Sequence, residues 1–325
     1  MATNIAQALW YVAPGQAEIR EEMLAVPQAG EVRVRALFGA LSRGTEALVL
    51  AGRVPESEFE RMRAPFMGGR FPFPVKYGYA TVGQIEEGPE KHLGRTVFAL
   101  HPHQHHFNIP ESAIVTLPHA VPPRRAVLAA NMETALNAVW DAAVGPTDRI
   151  AIVGAGAVGA LVAFLCSRLV GVEATLVDIN EKRAELAQSL GVRFAKRETA
   201  RDDCDVVFHA SGTAAGLGTA LSLAGDEATV LELSWYGDAP VTIPLGGAFH
   251  SRRLRLISSQ VGKIAVSHRS RWTHSRRLAA AIGLLTDPCL DALLAPEVEF
   301  YDLPRRLPDI LDAKNGVVCQ LISYP

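Results

Sequence analysis

The stretch that decides the fold runs from Arg149 to Asn180 and reads RIAIVGAGAVGALVAFLCSRLVGVEATLVDIN. The apolar run IAIV is typical of a buried strand, and it leads into a turn with the spacing Gly-x-Gly-x-x-Gly. An apolar helix follows, and then a second strand, ATLVD, which ends in an acid. This order of elements predicts an α/β fold with a doubly wound parallel sheet that binds a dinucleotide.

Each glycine of the turn has a physical role. Gly154 makes the tight turn, Gly156 lets the backbone approach a pyrophosphate, and Gly159 lets the helix pack close to the strand. The N-terminus of the helix then faces the anion, so we include Val158 of its first turn among the cofactor-binding residues. The alternative is a glycine-rich turn in an α/β domain that binds nothing.

The acid that ends the second strand indicates which dinucleotide is bound. The Asp178 carboxylate can accept hydrogen bonds from two ribose hydroxyls and would repel a 2′-phosphate. NAD is therefore favoured over NADP, although Lys182 and Arg183 weaken this preference.

The regions around this stretch predict three segments. Residues 1–122 read as short strands broken by Gly and Pro, which predicts a β-rich domain. Strand and helix patterns alternate over residues 123–262, which predicts the dinucleotide-binding Rossmann domain. Residues 263–325 supply a connecting helix and a return to the first domain.

Composition excludes several classes of protein. Of the 325 residues 49% are hydrophobic and 20% charged, which excludes a disordered chain and suits two cooperating domains. A net charge of -2 argues against binding to nucleic acid or anionic membranes. The four cysteines are far apart and form no CxxC pair, and no secretory or membrane-spanning segment is recognisable. We therefore expect a cytoplasmic protein.

Several motifs together resemble the medium-chain dehydrogenase/reductase family, whose fold is that of alcohol dehydrogenase. They are the glycine turn, PQAGEVRVRALFGALSRGTE at 27–46, FPVKYGYATVGQIEEG at 73–88 and DVVFHASG at 205–212. The resemblance implies a GroES-like catalytic domain beside the Rossmann domain, a homodimer built by edge strands, and hydride transfer between a nicotinamide and a small alcohol or carbonyl substrate. The SRGTE loop and NMETALNAVWD are most similar to bacteriochlorophyllide dehydrogenase-like sequences.

The resemblance also implies that zinc is absent. Ser42 stands near the place of the cysteine ligand of zinc-using members, Tyr79 replaces the histidine ligand, and the third ligand position falls near Ala130. The four-cysteine lobe that holds a structural zinc is missing, because the chain passes through HPHQHHFNIP at 101–110 without a cysteine. Hydroxyl, phenol and methyl groups do not make a zinc site, so we expect no metal.

Fixed hydroxyl groups are then the candidates for handling the substrate proton. Tyr79 can donate to an oxyanion, with Lys76 lowering its pKa, or it fills the space that the metal left. Thr45 matches the family's proton-relay hydroxyl, or it caps a loop. Glu46 orients Arg43 or replaces the family's conserved acid behind the metal, or it is a solvated surface acid.

Further candidates come from the second domain. Thr134 falls where the family places a hydroxyl near the nicotinamide, and the neighbouring Glu133 is an active-site carboxylate or a surface charge. Ser211 and Gly212 follow the strand VVFHA at its carboxyl end, where doubly wound sheets bind ligands.

For the histidine run and for a basic stretch near the end of the second domain, the sequence allows two interpretations each. The resemblance puts His101 beside the substrate pocket, where it could act as an acid, while His101, His103, His105 and His106 together form a metal site or a surface histidine cluster. The stretch from Ser251 to Arg277 holds eight basic residues and no acid, so it receives an acidic substrate group or is a solvated surface.

The sequence therefore predicts a zinc-independent, NAD-preferring alcohol dehydrogenase or carbonyl reductase. One alternative is reduction of an activated C=C bond, as in quinone and enoyl reductases of the same fold. The other is a catalytically silent nucleotide-binding sensor or scaffold that kept its cofactor domain.

Overall fold

The structure, a computed structural model, describes residues 5–325 and divides them into two compact units. The first unit comprises the described residues up to Ala130 together with Ile282–Thr286 and Leu294–Pro325. The second comprises Asn131–Ala281 and Asp287–Leu293. No helix within residues 5–325 is both long and apolar enough to span a membrane.

The strands are, in chain order, β1 (Ile5–Ala13), β2 (Gln16–Met23), β3 (Glu31–Leu41), β4 (Gly68–Gly69), β5 (Val75–Lys76), β6 (Thr81–Glu87), β7 (Thr96–Ala99), β8 (His106–Pro110), β9 (Ile114–Thr116), β10 (Arg149–Val153), β11 (Glu173–Val177), β12 (Arg193–Ala195), β13 (Cys204–His209), β14 (Ala224–Glu232), β15 (Arg255–Ser258), β16 (Leu294–Glu299) and β17 (Cys319–Ser323). The α-helices are α1 (Arg43–Leu50), α2 (Pro123–Ala126), α3 (Ala129–Asp141), α4 (Ala157–Cys166), α5 (Arg183–Ser189), α6 (Ala214–Leu223), α7 (His274–Gly283) and α8 (Leu303–Leu311).

The second unit is built on a six-stranded sheet in the order β12-β11-β10-β13-β14-β15. Every neighbouring pair in it is parallel, as the predicted alternation of strands and helices requires. The strand order reverses between β10 and β13, and such a reversal is where doubly wound sheets bind ligands. The sheet core is apolar, with Val207, Val230 and Leu221 buried. The predicted doubly wound parallel sheet is confirmed.

The first unit holds two other sheets. A seven-stranded sheet has the order β16-β17-β3-β6-β7-β9, with β8 also paired to β3, and a four-stranded sheet has the order β2-β1-β5-β4. The long strand β3 pairs antiparallel with β6, β8 and β17, and Val32, Val34, Phe107 and Ile109 fill the core beneath it. This β-rich unit therefore contains chain segments from both sides of the Rossmann sheet in sequence.

Candidate functional site

The glycine turn follows β10 at the point where the strand order reverses. Gly154 has a φ of +108°, and a Cβ there would lie 2.6 Å from the backbone nitrogen of Ser211. A Cβ on Gly159 would lie 1.9 Å from the carbonyl oxygen of Gly154, so only glycine lets α4 approach the turn this closely. Gly156, in contrast, has a φ of -80°, and a Cβ there would meet no atom within 4 Å. The space in front of Gly156 is therefore open.

The acid after β11 is joined to this turn. One Asp178 carboxylate oxygen accepts from the backbone N–H of Ala155 at 2.7 Å, and the other accepts from the N–H of Asn180 at 2.8 Å. Each oxygen retains a lone pair, and the side chain is half-buried, so it can still accept from a ligand hydroxyl. Val158 lies half-buried in the first turn of α4. The open backbone cradle and the acid fit the ribose and pyrophosphate of a dinucleotide.

The open space at Gly156 gives a test of this fit. We expect Gly156→Ala to leave the melting temperature unchanged and to weaken NADH binding at least about tenfold, because its methyl group occupies the approach of the pyrophosphate. Gly154→Ala is the matched change, and we expect it to lower stability by about 1–3 kcal/mol because of its backbone strain. Calorimetric titration and thermal melting measure both effects. NADH binding by Gly156→Ala at wild-type affinity would contradict the assignment of the cradle.

Ser211 and Gly212 follow β13 directly beside the glycine turn. The Ser211 hydroxyl lies 2.6 Å from Nε2 of His209, and Ser234 Oγ accepts from the Gly212 N–H at 3.0 Å. Sequence reasoning identified Ser211 and Gly212 but missed His209, since it lies within the apolar run of β13 and is fully buried. The one signal for His209 in the sequence is its position, two residues before the serine that follows a predicted strand.

In the first unit, Tyr79 lies half-buried just after β5. Burial raises the pKa of Tyr79 to about 12, although hydrogen bonding to the Ser42 and Thr45 side chains acts in the opposite direction. The structure thus brings together Tyr79, Thr45 and Ser42. The expectation that Lys76 lowers the pKa of Tyr79 is wrong, because Lys76 instead pairs with Glu22 at 2.6 Å and the phenol stays neutral at pH 7.

Glu46 lies at the centre of a buried polar cluster and is 0% exposed. Its carboxyl group accepts from the Tyr11 hydroxyl at 2.6 Å and from the Ser42 backbone N–H at 2.7 Å, and it contacts Nε2 of His103 at 2.9 Å. The reading of Glu46 as a solvated surface acid is therefore wrong. Burial is the main cause of the raised pKa of Tyr79, and the nearby Glu46 adds to it, whereas the hydrogen bonds with Ser42 and Thr45 lower it.

The histidine run does not form a surface cluster. His101 and His103 are buried, and His101 stacks on Phe107 with ring centroids 3.7 Å apart. Burial lowers the pKa of His101 to about 3, so it is a neutral imidazole and not the acid considered from sequence. His105 and His106 are half-buried, and within residues 5–325 no group of three or more His, Cys, Asp or Glu residues could hold a metal ion.

Glu133 and Arg277 form a buried ion pair in the second unit. Nε of Arg277 donates to the Glu133 carboxylate at 3.0 Å, and the two side chains are 1% and 6% exposed. Arg277 also donates to the side chain of Asn137 and to the backbone oxygen of Val261. The interpretation of Glu133 as a helix surface charge is therefore wrong, and Arg277 is not part of a solvated basic surface. Thr134, next on α3, is half-buried.

Comparison with known proteins identifies the fold. No family model matches the chain, and no curated protein matches it in sequence. Among solved structures, a short chain alcohol dehydrogenase from E. coli CFT073, in complex with NADH, is 16% identical with a TM-score of 0.77 and covers 99% of this chain and 100% of its own. L-idonate 5-dehydrogenase from Escherichia coli is 15% identical with a TM-score of 0.79, covering 98% of both chains.

A third similar structure is a putative zinc-binding dehydrogenase from Sinorhizobium meliloti, bound to NADP. It is 16% identical with a TM-score of 0.77 and covers 98% of this chain and 99% of its own. At these identities the comparisons establish the fold alone. The predicted fold class, a Rossmann sheet plus a GroES-like β-rich unit, is confirmed.

Proposed function

We propose that this protein is an NAD(H)-dependent oxidoreductase that transfers a hydride between the nicotinamide and a small or medium-sized alcohol or ketone. The observation that carries the proposal is the neutral Tyr79 phenol, held with the hydroxyls of Ser42 and Thr45 in a half-buried place. Three solved structures of the same fold are named as dehydrogenases, and two of them hold NADH or NADP.

The chain's own residues would hold the cofactor. The turn Gly154 to Gly159 and the N-terminus of α4 would take the pyrophosphate, and Asp178 would take the adenosine ribose. Thr134, Ser211 and Gly212 complete the proposed cofactor-binding set. When bound, the nicotinamide dinucleotide supplies or accepts the hydride.

The residues do not fit a catalytic zinc. Zinc requires thiolate, imidazole or carboxylate ligands, whereas the three ligand positions given by the family resemblance hold Ser42, Tyr79 and Ala130. We therefore propose a zinc-independent enzyme, in contrast to the Sinorhizobium meliloti structure, whose name describes it as zinc-binding.

Tyr79 and Thr45 would then handle the proton. A phenol with a pKa of about 12 is protonated at pH 7, so it can donate a hydrogen bond to a substrate carbonyl oxygen and stabilise the charge that develops there. The raised pKa of Tyr79 is closer to the pKa of an alcohol than the pKa of an ordinary tyrosine is. This match suits proton donation to the alkoxide that forms during reduction. Thr45, hydrogen-bonded to Tyr79, would pass its proton to the tyrosinate and would take one from water in the same step, so that both hydroxyls end neutral. Glu46 fixes the loop through the Ser42 N–H.

A substrate panel tests the function. The purified protein, treated with a chelator and checked for metal content, is assayed with ketones and enones against NADH and NADPH. We expect ketone reduction with a preference for NADH, unaffected by the chelator. Turnover of enones alone would support C=C reduction instead. NADH binding without turnover on the whole panel would indicate a silent nucleotide-binding protein, and loss of activity on chelation would overturn the zinc-independent mechanism.

We also propose a homodimer formed through β15. This strand is one of the two edges of the six-stranded sheet, and most of its residues are exposed, with Ile257 38% exposed. Exposed edge strands offer unpaired backbone groups to a second copy. We expect light scattering to give twice the 34.9 kDa mass of the chain. Ile257→Lys should shift the mass towards the monomer, whereas Val170→Lys, at an apolar site 82% exposed outside this strand, should not.

A further inference from the structure

Three side chains lie in line at the carboxyl ends of β13 and β14. The two oxygens of Glu232 lie 2.9 and 2.8 Å from Nδ1 of His209, and Nε2 of His209 lies 2.6 Å from the Ser211 hydroxyl. His209 is 0% exposed, whereas Ser211 is half-buried. This is the geometry of an acid, a base and a nucleophile.

Hydrogen bonding defines which way the protons point. Glu232 also accepts from the Ser234 backbone N–H at 2.7 Å and from the Tyr236 hydroxyl at 2.9 Å. Burial alone would raise the pKa of Glu232, but its hydrogen bonds with His209 and Ser234 help to leave that pKa below its ordinary value. An ionised Glu232 only accepts, so Nδ1 of His209 carries a proton and Nε2 is free to accept the proton of Ser211.

The surroundings of Ser211 support attack by its oxygen. A Cβ at Gly216 would lie 2.0 Å from the Ser211 hydroxyl and 2.8 Å from Nε2 of His209, so the contact exists only because residue 216 is glycine. Thr213, 3.0 Å from the Ser211 hydroxyl, accepts from the Gly216 N–H at the start of α6. The first-turn N–H groups of a helix lack intrahelical acceptors, and residues 214 and 215 are exposed, so their N–H groups would be available as donors to an oxyanion.

A structural role for His209 would not require this arrangement. A buried histidine needs one partner for each ring nitrogen, and a backbone carbonyl would satisfy it without placing a half-exposed hydroxyl at 2.6 Å. Hydride transfer does not require an activated serine either. Ser211 belongs to the proposed cofactor-binding set, but that role uses neither the base His209 nor the acid Glu232, so activation of the Ser211 oxygen goes beyond the proposed function.

We propose that Ser211 is the nucleophile of a second activity, the hydrolysis of small activated esters. The Ser211 oxygen bonds to the acyl carbon while its proton passes to Nε2 of His209, and the bond from the acyl carbon to the leaving oxygen breaks. The proton then protonates the leaving group. Water attacks the acyl-serine, gives a proton to His209, and that proton returns to Ser211 as the carboxylic acid leaves. Glu232 is the positioning residue that holds the His209 tautomer.

Ester hydrolysis and covalent labelling test the proposal on the full chain without a dinucleotide. The probes are p-nitrophenyl acetate and a fluorophosphonate, with the labelled residue located by mass spectrometry. We expect the fluorophosphonate on Ser211, and we expect Ser211→Ala to lower nitrophenol release at least about 100-fold. Ser222→Ala removes a hydroxyl on α6 that donates to the Thr219 carbonyl, and it should retain the wild-type rate. Wild-type hydrolysis by Ser211→Ala, or labelling at another residue, would overturn the proposal.

Two further variants distinguish activation of residue 211 by His209 from a purely structural role of the cluster. Glu232→Gln should lower the hydrolysis rate about 100-fold or more and change its pH profile, because the wrong histidine tautomer becomes accessible. Ser211→Cys keeps the contact, and its thiol should react with iodoacetamide at pH 6 at least about tenfold faster than the half-buried Cys289. Equal alkylation rates at the two thiols would show that His209 does not activate residue 211.

Discussion

Replacing Tyr79 by Phe is expected to lower kcat/KM for ketone reduction about 100- to 1,000-fold while leaving the affinity for NADH within about twofold. The substitution removes one oxyanion donor together with its hydrogen bonds to Ser42 and Thr45, and the loss of one such donor has that effect in other enzymes. Steady-state kinetics and calorimetric titration of NADH measure the two quantities separately.

A matched control and a pH profile sharpen this test. Tyr77, whose ring lies edge-on to Tyr79 at 6.0 Å between centroids, is buried, and Tyr77→Phe should change kcat/KM less than about threefold. Because burial raises the pKa of Tyr79 to about 12, the group stays protonated, and we expect it to contribute no titration between pH 6 and about 10. A titration near pH 7 that disappears in Tyr79→Phe would contradict the neutral-donor mechanism.

Arg277→Ala is expected to destabilise the protein by about 3–5 kcal/mol. Arg277 is 1% exposed, and its removal leaves the buried Glu133 carboxylate without its partner. Chemical denaturation measures the free energy of unfolding. Arg269→Ala, an exposed arginine in the same basic stretch, should change it by less than about 0.5 kcal/mol.

The pH dependence of this variant has a defined sign. Burial raises the pKa of Glu133, and Arg277 pulls it back. Without Arg277 the folded-state pKa rises further above that of the unfolded chain, so the folded state holds a proton that the unfolded state releases, and stability falls as pH rises. The loss should therefore be greater at pH 8 than at pH 5, and adding Glu133→Gln should recover part of it. A loss no larger than that of Arg269→Ala would refute the buried-pair interpretation.

The Rossmann sheet could be predicted because its signals are local. The glycine turn, the apolar strands and the acid after β11 lie within Arg149–Asn180, and parallel sheets give long apolar runs. The sheets of the first unit pair strands that are distant in sequence, such as β17 with β3. Alternation of side chains shows that such strands exist but carries no information on which strand pairs with which, so only the resemblance supplied their arrangement.

In the candidate site, too, local signals could be predicted and contacts between residues distant in sequence could not. Tyr79, Thr45 and Ser211 could be placed from motifs and strand ends, but their partners could not. Glu46 meets Tyr11 and His103, which are 35 and 57 residues away, so the sequence left a surface acid open as one of three interpretations of Glu46. The parallel register of β13 and β14 sets His209 opposite Glu232, and a register cannot be obtained from one strand alone.

The place of β17 between β16 and β3 has a consequence for synthesis on the ribosome. All six strands of the parallel sheet have been translated by Ser258, whereas the end of β3 at Phe38–Leu41 emerges early and waits for Cys319–Ser323 to pair with it. All strands of the parallel sheet in the second unit are therefore synthesised before the first unit has its last strand. For most of elongation this end of one β3 edge, beyond the residues that β8 pairs with, is an open template, and molecular chaperones would have to shield it from neighbouring polypeptides.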